Sequence, residues 1–283
     1  MHRTRPAFPP QPAVDSVSAV GCGCRLRLRL RLRLRRTTVQ SGRPTPHRRM
    51  HAVVFGTLTD WRSSVTEALT DTGGRAGLHA DWPTVTDTWR LRYRPALERI
   101  VGGELSWRPL DALHRLTLDE TLAEHGLEGL DDAERDVLVQ AWHRLRPWPD
   151  APTGLELLHR TRVITATLSN GGVGLLTRLT KQAGLRFDCI LSAELARSYK
   201  PDPQVYRMAA DLLEVKPRRL LMVACHPDDL EAAAKAGLRA AYIPRLEWGP
   251  AAGRVGPPAV VDLVADDVIE LAHALGASGR TRP

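Results

Sequence analysis

Residues 163–194 read VITATLSNGGVGLLTRLTKQAGLRFDCILSAE, and this stretch decides the fold. VITATLSN is an apolar, β-branched run that ends in polar residues. GGVGLLTRLTKQAGL carries apolar residues at helical spacing, and FDCILSAE is a second short apolar run. A strand, a helix and a strand joined by short connections form one unit of a parallel sheet. The pattern continues: DPQVYRMAADLLEV is predicted helical, RLLMVACHPDD a strand and loop, LEAAAKAGL a helix, RAAYIPR and AVVDLVADD further strands, and VIELAHALG a closing helix. Upstream, AVVF (about Ala52 to Phe55) is predicted to be the first strand of the same sheet.

Between that strand and Arg146 the sequence changes character. From about Ser63 to Leu145 apolar residues recur every three or four positions, which predicts a bundle of helices with Asp81, Arg108 and Asp131 near their starts. Six of the seven tryptophans fall between Trp61 and Trp148, as expected for inter-helix packing. The expected fold class is therefore α/β: a Rossmann-like, doubly wound parallel sheet with an inserted α-helical cap. The expected core spans 50–60 and 146–275, with the cap over 61–145 and a short disordered tail over 276–283.

Composition narrows the function. The net charge of +8 comes from residues 1–49, which hold 12 Arg, no Lys and one acid, Asp15. The rest holds 28 basic and 31 acidic residues, a net of −3, so charge gives the body no support for nucleic-acid binding. The segment CRLRLRLRLRLRR (24–36) alternates Arg and Leu between Pro-, Ser- and Thr-rich flanks. It is expected to be a disordered, low-complexity extension, and Met50 marks a plausible alternative start. Strict alternation also fits a strand, and the charge alone would suit RNA or an acidic membrane surface. No apolar run approaches the length of a membrane span. The four cysteines include no metal-type CxxC pair, so a reducing cytoplasm is the expected setting.

In a parallel sheet the chemistry sits beyond the carboxyl ends of the strands. The polar residues there are Thr57, Ser169 and Asn170, Lys200, and His226 to Asp229. FGTLTDWRSS (55–64), TLSNGG (167–172), YKPDPQVY (199–206) and VACHPDDLEAAAKAGLRAAYIPR (223–245) resemble, in this order, the four motifs of the haloacid dehalogenase superfamily. Within it they are most similar to the type II (S)-2-haloacid dehalogenases. The resemblance covers residues 50–275 and implies a Rossmann-like core with a helical cap. It also implies covalent hydrolysis of a 2-haloacid to a 2-hydroxy acid and halide, in which a first-motif Asp attacks the carbon bearing the halogen. No cofactor and no metal are implied. The implied partner is a small 2-haloacid or related carboxylate, and family members often dimerise through the cap.

Carried over residue by residue, the resemblance gives Thr57 as the hydroxyl that orients the nucleophile and Arg90 as the guanidinium that grips substrate or leaving halide. It gives Ser169 and Asn170 as the carboxylate cradle and Lys200 as the balancing ammonium. Tyr206 would support the site, and Asp229, with Asp228 beside it, would be the fourth-motif acid. His226 stands where many members have Asn. The departure is in the first motif. Its pattern is Phe-Asp-x-Phe-Gly-Thr, yet Met50 to Thr59 contains no acid. As a substitution, the nucleophile position is Val53. As a deletion, Asp-x-Phe is missing between Phe55 and Gly56. The deletion is preferred, because AVVF makes a better buried strand than RMHA (49–52).

The expected activity is thus a haloacid dehalogenase impaired by the missing nucleophile, with halide release near background and recovery on reinsertion of Asp-Val-Phe. The alternative is an inactive homologue that binds a small carboxylate, or one in which Asp229 or His226 activates water directly. A metal-dependent phosphatase of the same superfamily ranks behind both, because Phe55 and Cys225 replace the acids it would need.

Overall fold

The structure is a computed structural model that describes residues 49–52, 55–253 and 255–277. The Arg/Leu segment and Val53 lie outside the described residues, as do residues 278–283 of the expected tail.

Eight strands and nine helices follow one another among the described residues. Six strands form a parallel sheet: β1 (Arg49–Ala52), β4 (Ile164–Ser169), β5 (Cys189–Ser192), β6 (Leu220–Ala224), β7 (Arg239–Tyr242) and β8 (Leu263–Val264). Their spatial order is β5-β4-β1-β6-β7-β8. The chain starts in the middle, winds outward through β4 and β5, then returns to the other side of β1. A crevice is left at the carboxyl edge where the winding reverses. Ala52 is level with Thr167 of β4 and Val223 of β6, and Ser169 with Ser192 of β5.

Period-two alternation gives each face of the sheet its own core. Leu220, Met222 and Ala224 pack with Ala240 and Tyr242 on one face; Val223, Ala241 and Ile243 pack on the other. The second face is covered by α5 (Asp150–His159) and α9 (Val268–Ala274), which place Leu155, Leu158, Val268 and Leu271 against it. On the first face lie α6 (Val173–Gln182), α7 (Pro203–Leu212) and α8 (Pro227–Lys235), with Leu176, Leu179, Tyr206 and Leu230 buried.

Between β1 and β4 the chain makes α1 (Trp61–Arg75), α2 (Trp82–Val101), α3 (Leu110–Glu124) and α4 (Asp132–Ala141). Their starts are legible: Asp60 and Asp81 accept from the backbone three residues on, and Asp131 forms a reciprocal capping box with Glu134. Arg108 precedes the α3 N-cap, which is Pro109. The shared core of these helices is aromatic. Trp61 stacks on Trp142 at 6.1 Å, and Trp89 meets Trp142 edge-on at 5.6 Å. The segment leaves and rejoins the body through a short antiparallel pair, β2 (Thr59–Asp60) with β3 (Arg146–Pro147).

One expectation is corrected. The first strand occupies Arg49–Ala52, not Ala52 to Phe55. Phe55 instead bridges to Thr59 and belongs to the turn. The turn is held in place by three contacts to its backbone and hydroxyl. Trp148 Nε1 donates to the Gly56 carbonyl at 2.8 Å, Arg245 Nε to the Thr57 carbonyl at 2.9 Å, and the Cys225 N–H to Thr57 Oγ1 at 3.0 Å. Gly56 has φ +77°, a conformation open chiefly to glycine. With the turn fixed there, RMHA pairs with both β4 and β6.

Candidate active site

The carboxyl edge of the sheet and the α2 helix enclose a cavity of about 490 Å³. This lies within the range of small-molecule sites. Lys200, Ser169, Asn170, Tyr206, His226, Asp229 and Arg90 all line it. Thr57 does not: it is fully buried, and its hydroxyl is taken by the Cys225 N–H. Its structural effect is to tie the first turn to the end of β6.

Lys200 and Asp229 form the buried centre. Lys200 Nζ donates to Asp229 Oδ2 at 2.6 Å and to the Leu168 carbonyl at 3.0 Å; Tyr206 OH donates to Asp229 Oδ1 at 2.6 Å. Burial and the Asp229 charge push the Tyr206 hydroxyl far above its ordinary pKa, so it remains a donor. Asp228, by contrast, pairs with Arg94 and is half-exposed. Of the two adjacent acids, Asp229 therefore points inward. Asn170 uses its side-chain oxygen to accept from the Lys200 N–H at 2.8 Å, which sets the Lys200 loop at the end of β4.

Arg90 enters from α2. Its guanidinium lies 4.3 Å from the centroid of the Tyr93 ring and 5.2 Å from that of Trp61. Nη1 is buried without a hydrogen-bond partner. A buried guanidinium N–H left unpaired is costly, and an anion in the cavity is its natural complement.

Sequence reasoning misses Glu247. It follows β7 in the loop RLEW (245–248) and lines the cavity. Trp61 Nε1 donates to its Oε2 at 2.9 Å, and His226 Nε2 stands 3.1 Å from that oxygen. Burial alone would lower the His226 pKa, but its interactions with Cys225 and Glu247 outweigh it and raise the ring to about 10. Burial alone would raise Glu247; the His226 charge outweighs it and holds the carboxyl at about 2. The raised pKa favours the imidazolium, which donates to Glu247. The signal that could have found Glu247 is a polar residue shortly after an apolar strand, the same signal that picks out Ser169 and His226.

Among the described residues, Cys225, His226 and Glu247 are the cluster of metal-ligand type, with ligand atoms within 4.8 Å of one another. His226 and Glu247 of this cluster are also hydrogen-bonded to each other. Cys189 and Cys225 are both free. No described helix is long and apolar enough to cross a membrane. Arg90, Arg94, Lys200 and His226 line the cavity together with Glu98, Asp228, Asp229 and Glu247, and of these cations Arg90 has a buried N–H without a hydrogen-bond partner.

Comparison with known proteins agrees with this geometry. Residues 54–237 match the haloacid dehalogenase-like hydrolase family. The chain is 31% identical over 196 residues to (S)-2-haloacid dehalogenase 1 of Pseudomonas sp. (strain CBS-3), covering 68% of this chain and 82% of that protein. A solved defluorinating L-2-haloacid dehalogenase superposes with a TM-score of 0.77 at 38% identity, over 81% of this chain and 95% of the other. The L-2-haloacid dehalogenase of Xanthobacter autotrophicus, solved with chloropropionic acid covalently bound, superposes with a TM-score of 0.69 at 26% identity, over 82% of this chain and all of the other. With four strand ends and α2 converging on one cavity, and a family match across most of the described residues, the chain belongs to the haloacid dehalogenase-like hydrolases.

Proposed function

We propose that this chain is a 2-haloacid hydrolase whose cavity takes a small 2-halo carboxylate, and that its turnover is impaired by the absence of a carboxylate on the first loop. The observation that carries the reading is the buried, unpaired Nη1 of Arg90 in a cavity that Ser169, Asn170 and Lys200 also line. In this reading the α1 to α4 segment acts as a cap. It brings Arg90 over the sheet edge, so substrate is held between Arg90 on one side and the Ser169 and Lys200 loops on the other.

Bound this way, the substrate carboxylate meets the Ser169 and Lys200 loops, and the halogen leaves as an anion close to a guanidinium. The Lys200–Asp229–Tyr206 group keeps the cavity floor rigid and the ammonium in place. The residue that attacks in the resembling enzymes has no counterpart at Val53, so this half of the chemistry is what the chain lacks. Similarity to the Pseudomonas and Xanthobacter enzymes and the unpaired Arg90 guanidinium support this substrate class.

The test pairs calorimetric titration of (S)-2-chloropropionate with a chloride-release assay. Saturable one-to-one binding with slow chloride release is expected. Absence of binding would overturn the substrate assignment, and fast release would overturn the impairment.

A further inference from the structure

Four carboxylates line the cavity, and each is placed differently; Glu98, on α2, is exposed. Asp229 is sandwiched between the Lys200 ammonium and the Tyr206 hydroxyl, both at 2.6 Å. Asp228 turns outward to Arg94. Glu247 alone stands over the first turn. A Cβ placed on Gly56 would come within 2.3 Å of Glu247 Oε2. The carboxylate thus fills the space that the missing side chain of Gly56 leaves open.

We propose that Glu247 is the nucleophile of this chain, supplying from the β7 loop the carboxylate that the first loop lacks. The proposal rests on the 2-haloacid reading above. Its chemistry is balanced. A Glu247 carboxylate oxygen forms a bond to C2 of the substrate as the carbon–halogen bond breaks, and the halide leaves with the bonding pair. Water then attacks Cδ of the resulting ester. The 2-hydroxy acid departs with its oxygen from Glu247, and one proton is released as the carboxylate re-forms. Trp61 and His226 orient the carboxylate. The same His226 ion pair draws electron density from the attacking oxygen, which accounts for a slow reaction rather than a fast one.

The test is a single turnover of (S)-2-chloropropionate by the wild-type protein in heavy-oxygen water, followed by peptide mass analysis. The expected result is one heavy oxygen in the peptide containing Glu247 and none in the first-turnover product. Glu247→Gln is expected to lose chloride release while keeping calorimetric binding of the substrate. Heavy oxygen in the product alone, or in the peptide containing Asp229, overturns the assignment. Chloride release that survives in Glu247→Gln, or is absent from a wild-type protein that binds substrate, also overturns it and leaves the substrate reading standing. A wild-type protein that does not bind (S)-2-chloropropionate ends both. The labelling needs no variant, so the outcome does not depend on whether Glu247→Gln folds.

Discussion

His226 Nε2 lies 3.1 Å from each carboxylate oxygen of Glu247, and this contact fixes the charge of both residues. It joins the loop after β6 to the loop after β7 directly above the Gly56 turn. The pair therefore has a pH signature as well as a place in the site.

The sign of that signature follows from the two shifts. The His226 share of stability is complete below its unfolded value of 6.5 and is lost as pH rises through about 10. The Glu247 share is complete above 4.5 and is lost as pH falls through about 2. Thermal unfolding of the wild type and Glu247→Gln, compared across pH, is expected to show the widest gap between 4.5 and 6.5, closing on either side. A gap independent of pH would show that the pair is not ionised.

Arg90 separates binding from stability. Its Nη1 is buried and unpaired, so the charge costs the empty protein something that a bound anion recovers. Arg90→Met is expected to keep or raise the melting temperature while weakening 2-chloropropionate binding about tenfold or more, the loss of one charge-assisted hydrogen bond. Equal affinity in the two proteins would remove Arg90 from the binding site.

Lys200 behaves in the opposite way. Lys200→Met leaves the Asp229 carboxylate without its ammonium at a site where both side chains are less than one-tenth exposed. Removing one partner of such a pair is expected to cost about 3–5 kcal/mol, and the Lys200→Met/Asp229→Asn double variant should recover part of it. Chemical denaturation of the three proteins measures this; additive losses would mean that the two residues are not coupled.

His114 is a buried ring stacked 4.5 Å from Trp142, with neither nitrogen partnered, and burial lowers its pKa to about 3. The unfolded chain takes up a proton near 6.5 that the folded one refuses, so this residue costs stability as pH falls from 6.5 towards 3. His114→Phe is expected to be more stable than wild type, with an advantage larger at about pH 5 than at about pH 8. Melting curves at the two values decide it.

Much of this molecule is legible in its amino-acid sequence. The apolar runs ending in Ser169, Ser192 and Ala224 form β4, β5 and β6, and Asp81 and Asp131 cap α2 and α4, because period and capping are local signals. Other features depend on contacts that are distant along the chain. AVVF has the better strand composition, yet RMHA forms β1, since the register of a central strand is set by partners on both sides and by the anchored Gly56 turn. Helix α5 is hidden because DAPTGLELLH carries Pro and Gly near its start, and its apolar face is defined only against α9. Glu247 lies in no motif; its meaning comes from His226, Trp61 and Gly56, which meet it only in the fold.

The proposed impairment rests on the first motif, which carries no acid between Met50 and Thr59, and chloride release from (S)-2-chloropropionate by variants that restore one tests it most directly. Val53→Asp, on the substitution reading, or insertion of Asp-Val-Phe between Phe55 and Gly56, on the deletion reading, is expected to release chloride at least about tenfold faster than the wild type. Two folded variants that bind substrate and release chloride no faster than wild type would contradict the claim.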